Sequence, residues 1–346
     1  MKKVLYLATS RKTKGGITSV LKAYEQCPFW KKYNIRWLET HIDRNMIIKM
    51  WYTIYSLLIY LVIIWFYDIV HIHCGDFPSI KRKYVFFQIA RMLNKKTVVH
   101  FHIVTQIDSL NDKRIFKNMV ENADAVILLS NEVKDKVMNI YSIDKDKLFV
   151  IYNPSIEVSN VQYANDSKTI LFAGRLDSNK GYHVLLEAFA LIAPKHPNWK
   201  IIFAGNGEID KATKIAEEQQ IINQITFKGW ISGEEKDRIF REASFLCLPS
   251  YAEAFPMSVV EAWAYGLPVI CTPVGGLKDF VRDGENALLF EPGDISELAR
   301  KLDLMITNSS LRKNIAEKSH ELSKTFFNLQ NIGVQLDNMY TSLLSK

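Results

Sequence analysis

The chain has 346 residues, 48% of them hydrophobic and 23% charged, a length that suits two domains and a composition that excludes wholesale disorder. Its net charge of +7 is unevenly spread: residues 1–165 carry 24 Lys and Arg against 14 Asp and Glu, and residues 166–346 carry 20 against 23. The first half should therefore face something acidic, either an anionic membrane or a phosphate-linked substrate; nucleic acid is disfavoured because no zinc-finger spacing or RNP-like aromatic motif occurs.

The opening MKKVLYLATS has too short an apolar run before Arg11 for a signal peptide and reads as a first strand. In TSRKTKGGITSV, Gly15-Gly16 opens a helix, where a tight strand-to-helix turn and a phosphate or acceptor contact are equally good readings. After the strand IRWLE comes MWYTIYSLLIYLVIIWFY, residues 50–67, without a charge. As a helix it would measure about 27 Å, with Trp51, Trp65 and Tyr67 placed like interface anchors. Spanning a bilayer would part VLYLA from IVHIH, which belong to one sheet, so the expectation is shallow insertion into a membrane surface, helped by Lys81, Arg82 and Lys83; complete burial or a dimer interface is the alternative. That places the chain in the cytoplasm, peripheral on the inner face of the cell membrane. IVHIH and TVVHFHI carry His71, His73, His100 and His102, and His102, where its strand ends, is the one favoured for function. AVILLS and FVIYN complete the first half, with a solvated turn at Asp144–Asp146 between them. The polar stretch 158–168 reads as a linker, which divides the chain into domains 1–157 and 169–328 and a final helix, 329–346, returning to brace the first domain.

In the second half TILFAG, IIFAG, ITFKG, FLCLPS and PVICT again alternate with helical patterns, so the fold class is α/β with two doubly wound parallel sheets and ligands beyond the strand carboxyl ends. FAGRLDSNKG sends Arg175 and Lys180 from such an end, one a planar fork and one a mobile charge for phosphate, without the Gly-Lys-Ser/Thr ending of a Walker loop. Gly205 and Gly207 permit close backbone approach, and TPVGG ends a strand in glycines as turns do. In EAFPMSVVEA, Pro256 suits a first helical position, so the N–H groups of Met257, Ser258 and Val259 form an anion site flanked by Glu253 and Glu261. Carboxylates accept from hydroxyls, so the natural occupant has phosphate in the middle and sugar at both ends. Four scattered cysteines, Cys27, Cys74, Cys247 and Cys271, read as reduced and buried; with no H-E-x-x-H or Cys/His ligand spacing, no metal and no cofactor are expected.

The ordered series GRLDSNKG, GNGE, KGWISGEE, PSYAEAFPMSVVEAWAYGLPVICTPVGG and NALLFEPGD resembles the retaining glycosyltransferases of the GT-B fold, family 4, from bacterial envelope polysaccharide synthesis. The resemblance implies two Rossmann-like domains facing a cleft. It implies that Arg175 and Lys180 hold the donor diphosphate, that Glu253 binds sugar hydroxyls beside the Phe255, Pro256 and Met257 backbone, and that Glu261 takes the ribose. Gly16 and His102 match the family's loop glycine and active-site histidine, Trp230 and Ile231 fall where the base is lined, and Gly174 and Gly207 join the donor-binding set. Family members often carry aspartate after that histidine, where this chain has Ile103. The implied activity is metal-independent transfer of a hexose-type unit from a UDP- or GDP-sugar to a lipid-linked envelope intermediate. A non-catalytic sugar-nucleotide-binding partner of a membrane assembly is the alternative. An NAD-dependent Rossmann enzyme is disfavoured because no G-x-G-x-x-G follows the first strand.

Overall fold

The computed structural model describes residues 2–42, 46–102, 114–163 and 166–345. The chain divides into two compact units, Met1–Pro154 with Leu329–Lys346, and Ser155–Asn328. Each holds, among the described residues, a six-stranded parallel sheet with helices on both faces, the class that the alternating pattern predicts.

The first unit runs β1 (Val4–Thr9), α1 (Gly16–Tyr24), α2 (Pro28–Lys32), β2 (Arg36–His41), α3 (Met46–Ile63), β3 (Ile69–Cys74), α4 (Phe77–Met92), β4 (Lys96–Phe101), α5 (Arg114–Asn122), β5 (Ala125–Leu128), α6 (Asn131–Ile140) and β6 (Leu148–Val150). The strand order is β2-β1-β3-β4-β5-β6. Because side chains alternate along a strand, Leu5, Leu7, Val70, Ile72, Val99 and Phe101 bury one face, in a core with Tyr60 and Ile64 from the α3 segment, Phe86 of α4 and Phe116 of α5. Tyr6, His71, His73 and His100 share the opposite face, with Tyr6 paired to His71 and His73 to His100 in register.

α3 continues as a 3-10 turn, Ile64–Phe66, and complete burial of this segment does not occur. Ser56, Tyr60 and Ile64 point inward, while the opposite side leaves Trp51, Tyr55, Leu58, Val62, Trp65 and Phe66 exposed. Of the basic trio read as facing the same surface, Lys83 is instead buried: its ammonium donates to the His73 carbonyl and, at 3.1 Å, to Ser79 Oγ.

The second unit runs β7 (Thr169–Ala173), α7 (Tyr182–Ile192), β8 (Lys200–Ala204), α8 (Ile209–Glu218), β9 (Ile225–Gly229), α9 (Gly233–Glu242), β10 (Phe245–Leu248), α10 (Met257–Ala264), β11 (Val269–Cys271), β12 (Leu288–Leu289), α11 (Ile295–Thr307) and α12 (Ser309–Thr325). Its order is β12-β11-β10-β7-β8-β9, so the chain reverses direction across the sheet between β7 and β10. The two-residue β12 was not among the expected strands. From the stretch read as a linker, Tyr163 donates to the Ser244 carbonyl at 2.7 Å; residues 164 and 165 lie outside the described residues.

α13 (Leu329–Ser345) then returns to the first unit as expected. Its Tyr340 hydroxyl sits 2.6 Å from that of Tyr6 and 2.5 Å from His71 Nδ1, and its Asp337 accepts from Lys32 at 2.7 Å. All four cysteines are buried, and none is joined in a disulfide.

Candidate functional site

Ligands of open parallel sheets sit beyond the strand carboxyl ends where the order reverses, and in the second unit that point is between β7 and β10. The loops leaving these strands are stitched together: Tyr251 N–H donates to the Asn179 carbonyl at 2.8 Å, and Asn179 Nδ2 to the Ala252 carbonyl at 2.8 Å. Lys180, after β7, donates to Glu253 Oε1, after β10, and Ser250 Oγ donates to the same oxygen at 2.9 Å. A carboxylate so held keeps its second oxygen oriented for a hydroxyl. Arg175 lies on the same loop as Lys180 but is largely exposed, with Nε 3.9 Å from Asp177.

Pro256 is extended rather than helical and stands just before α10 as its cap. Its carbonyl accepts from Val259 N–H at 3.2 Å and Val260 N–H at 3.4 Å, so Val259 is spoken for and Met257 and Ser258 remain as first-turn donors. Glu261, four residues inside α10, is buried and accepts from Lys236 Nζ of α9 at 2.7 Å. Each glutamate thus has its own lysine. Phe255 is core, 5.4 Å from Phe327 between ring centroids, so the contribution open to it is its backbone.

The glycines act mostly on one another's loops. A side chain on Gly207 would fall 2.2 Å from the Leu176 carbonyl, and one on Gly205 1.7 Å from that of Gly174. Their smallness lets the β7 and β8 loops touch, with Leu176 N–H donating to Asn206 O at 2.8 Å. Asn206 Oδ1 in turn accepts from the Trp230 backbone N–H at 2.9 Å, which holds the chain at the exposed Trp230 and the buried Ile231.

In the first unit Gly16 is the first residue of α1, and His102 directly follows β4; Ile103 lies outside the described residues. His102 Nε2 hydrogen-bonds His73 Nδ1 at 3.0 Å, and its ring stacks on His100 at 4.2 Å. Burial, aided by the nearby Lys83 charge, pushes its pKa down to about 3, so it is a neutral imidazole. Burial also depresses His71, His73 and His100 well below the ordinary range. Donor nitrogens of these three lie within 4.8 Å of one another, a cluster the sequence spacing did not reveal. As placed they do not converge on an ion: the His71 and His73 rings are parallel within 5° at 4.4 Å, and a coordinated metal must lie in the plane of each ring.

Residues 157–322 match the glycosyl transferases group 1, and residues 24–154 match glycosyltransferase family 4. A glycosyltransferase of Methanocaldococcus jannaschii, itself uncharacterised, is 31% identical over 243 residues, 68% of this chain and 67% of that one. The chain belongs to glycosyltransferase family 4. Similar relatives include an uncharacterised glycosyltransferase of Haemophilus influenzae, 31% identical over 60% of this chain, and the capsular polysaccharide biosynthesis glycosyltransferase CapM of Staphylococcus aureus, 26% identical over 70%. These alignments span 58% and 62% of the relatives' own lengths. Among solved structures, Anabaena HepE in complex with UDP-glucose superimposes with a TM-score of 0.80 at 19% identity over 99% of this chain and 100% of its own. Sucrose-phosphate synthase of Thermosynechococcus elongatus gives 0.81 at 18% over 99% and 100%. These likenesses establish the GT-B fold for this family 4 chain.

Sequence reasoning missed Ser250 and Lys236 in this family 4 chain. Ser250 lies three residues before Glu253 in a segment already singled out, and Lys236 sits in the KGWISGEEK run, where only packing of α9 on α10 reveals its partner.

Proposed function

We propose that this chain transfers a hexose-type unit from a UDP- or GDP-sugar to a lipid-linked envelope polysaccharide intermediate, with retention of anomeric configuration and without a metal or cofactor. The observation that carries the reading is the juxtaposition, at the β7–β10 reversal, of Lys180, Ser250 and Glu253 with the start of α10. As the glycosyl bond breaks, charge grows on the departing diphosphate, where Arg175, Lys180 and the Met257 and Ser258 N–H groups supply positive potential that would otherwise need a metal. Glu253 holds hydroxyls of the transferring sugar, and Glu261, oriented by its bond from Lys236, accepts from the ribose. His102, neutral at the end of β4, offers a hydrogen-bonding group without competing charge.

The direct test is a thermal-shift panel of UDP, GDP and NAD followed by transfer from the corresponding nucleotide-sugars to extracted membrane lipids. Stabilisation by one nucleoside diphosphate and not by NAD supports the reading; stabilisation by NAD alone overturns it. Arg175→Ala and Lys180→Ala should each lower turnover by about 100-fold while protein stability changes little for the exposed Arg175. Added EDTA should leave the rate unchanged, and a requirement for Mg²⁺ or Mn²⁺ would overturn the role given to these cations.

A further inference from the structure

The longest exposed apolar surface among the described residues lies on one helix. Along α3 and its 3-10 continuation, Ile47, Trp51, Ile54, Leu58, Val62 and Trp65 recur at three- and four-residue spacing, with Met50, Tyr55, Leu61 and Phe66 beside them, and all are exposed, from 42% at Ile54 to 68% at Val62 and Phe66. No charged residue interrupts the stripe between Lys49 and Asp68. The other side is anchored. Tyr60 is buried and donates to the Phe86 carbonyl at 2.8 Å; Tyr52 OH donates to Glu39 Oε2 at 2.6 Å; Lys95 Nζ donates to the Trp65 carbonyl at 3.3 Å. With β2 before it and β3 after it in one sheet, the segment cannot cross a bilayer without dismantling the unit.

We infer that this stripe lies flat in the interface of an anionic phospholipid membrane. Two observations favour lipid over a second copy of the chain. Residues 46–95, which include α3 and its neighbour α4, carry, apart from the buried Lys83, five Lys and Arg against two Asp and no Glu, and the exposed Lys81 shares α4 with the exposed apolar Val85 and Met92. A symmetric dimer would bring these like charges together, whereas anionic headgroups attract them. The stripe also carries Trp51, Tyr55 and Trp65, all exposed, aromatic side chains of the kind that favour a membrane–water interface. The orientation has a use. Tyr52 and Thr53 bond to Glu39 and Thr40 at the carboxyl end of β2, so the Trp51 end of the stripe adjoins the edge of the sheet where α/β proteins hold ligands. A lipid-linked acceptor would meet that edge without leaving the bilayer surface.

The test is flotation of the full chain with vesicles of phosphatidylcholine alone or of phosphatidylcholine with phosphatidylglycerol. The parent should float with the anionic vesicles, and Ile54→Gln/Leu58→Gln/Val62→Gln, confined to exposed positions, should lose partitioning by more than about 100-fold with its circular dichroism unchanged. Lys81→Gln should weaken binding about fivefold on anionic vesicles and leave any binding to phosphatidylcholine alone unchanged. A parent that stays at the bottom of the gradient, or a triple variant that floats like the parent, overturns the inference. So does concentration-dependent dimerisation in the ultracentrifuge, abolished by the triple variant, in a parent that ignores vesicles. The readout is binding alone, so the inference stands or falls separately from the transferase activity proposed above.

Discussion

His71, His73 and His100 lie on one face of two adjacent strands with His102 just beyond the end of β4, and folding keeps all four imidazoles uncharged. Their folded pKa values are depressed, so the unfolded chain takes up protons first as the pH falls. Stability is therefore intact above about pH 6.5 and is lost below it, at up to ~1.4 kcal/mol per pH unit for each ring. Calorimetry stepped from about pH 7 down to about pH 5 should show the first unit's transition falling steeply. His100→Leu should flatten that slope by one proton's worth, since neither His100 ring nitrogen has a hydrogen-bond partner among the described residues; an unchanged slope would mean that His100 is already charged. Glu261→Gln keeps the shape of its site but removes a charged acceptor and leaves the half-buried Lys236 beside an amide. It should weaken binding of the preferred nucleoside diphosphate by roughly 1.5–3 kcal/mol in titration calorimetry.

At the level of elements, the glycines after β11 do more than turn the chain. Gly275 has φ +57°, and a side chain there would meet the Glu253 carbonyl at 2.0 Å, while Gly276 N–H donates to the Ala254 carbonyl at 2.9 Å. Gly275→Ala should cost about 2 kcal/mol or more and displace Glu253, so both the melting temperature and sugar-nucleotide affinity should fall; an unaffected affinity would show that the Glu253 loop has room to yield. The sequence showed the glycines but not their neighbour, because a turn glycine and a contact glycine look alike until a second loop is placed against them. The same limit hid Lys236, whose partner Glu261 is on another helix. What local pattern could reveal, it did: the short β-branched runs that form β3 and β5, buried on both sides, and a helix beginning beside Pro256, displaced only in that proline caps the helix instead of opening it. β12 is too short at two residues for any periodicity to register.

On the scale of the whole molecule, the two units differ in how the chain builds them: Ser155–Asn328 is continuous, whereas the first unit is made from both ends of the sequence. Tyr340 carries much of the closure, buried between Tyr6, His71 and Tyr33. Tyr340→Ala should destabilise the first unit by about 3–5 kcal/mol and leave the second unit's unfolding transition in place, which calorimetry would resolve; a uniform loss of both transitions would mean that the units unfold as one. The fold class and the return of the last helix were legible from the alternation and from a final helical pattern with no strand after it. The exposure of the α3 stripe was anticipated from an uncharged run with no polar outer face to offer, and it removes the alternative of complete burial. Discontinuity also orders events on the ribosome. The second unit's residues are all synthesised before α13 exists, so it can complete its core while the first, although begun earlier, still shows the Tyr6–His71 face to water. Released nascent chains ending near residue 328 should therefore yield a protease-resistant second unit beside a digestible first one, and the amino-terminal half of the protein becomes the last to mature.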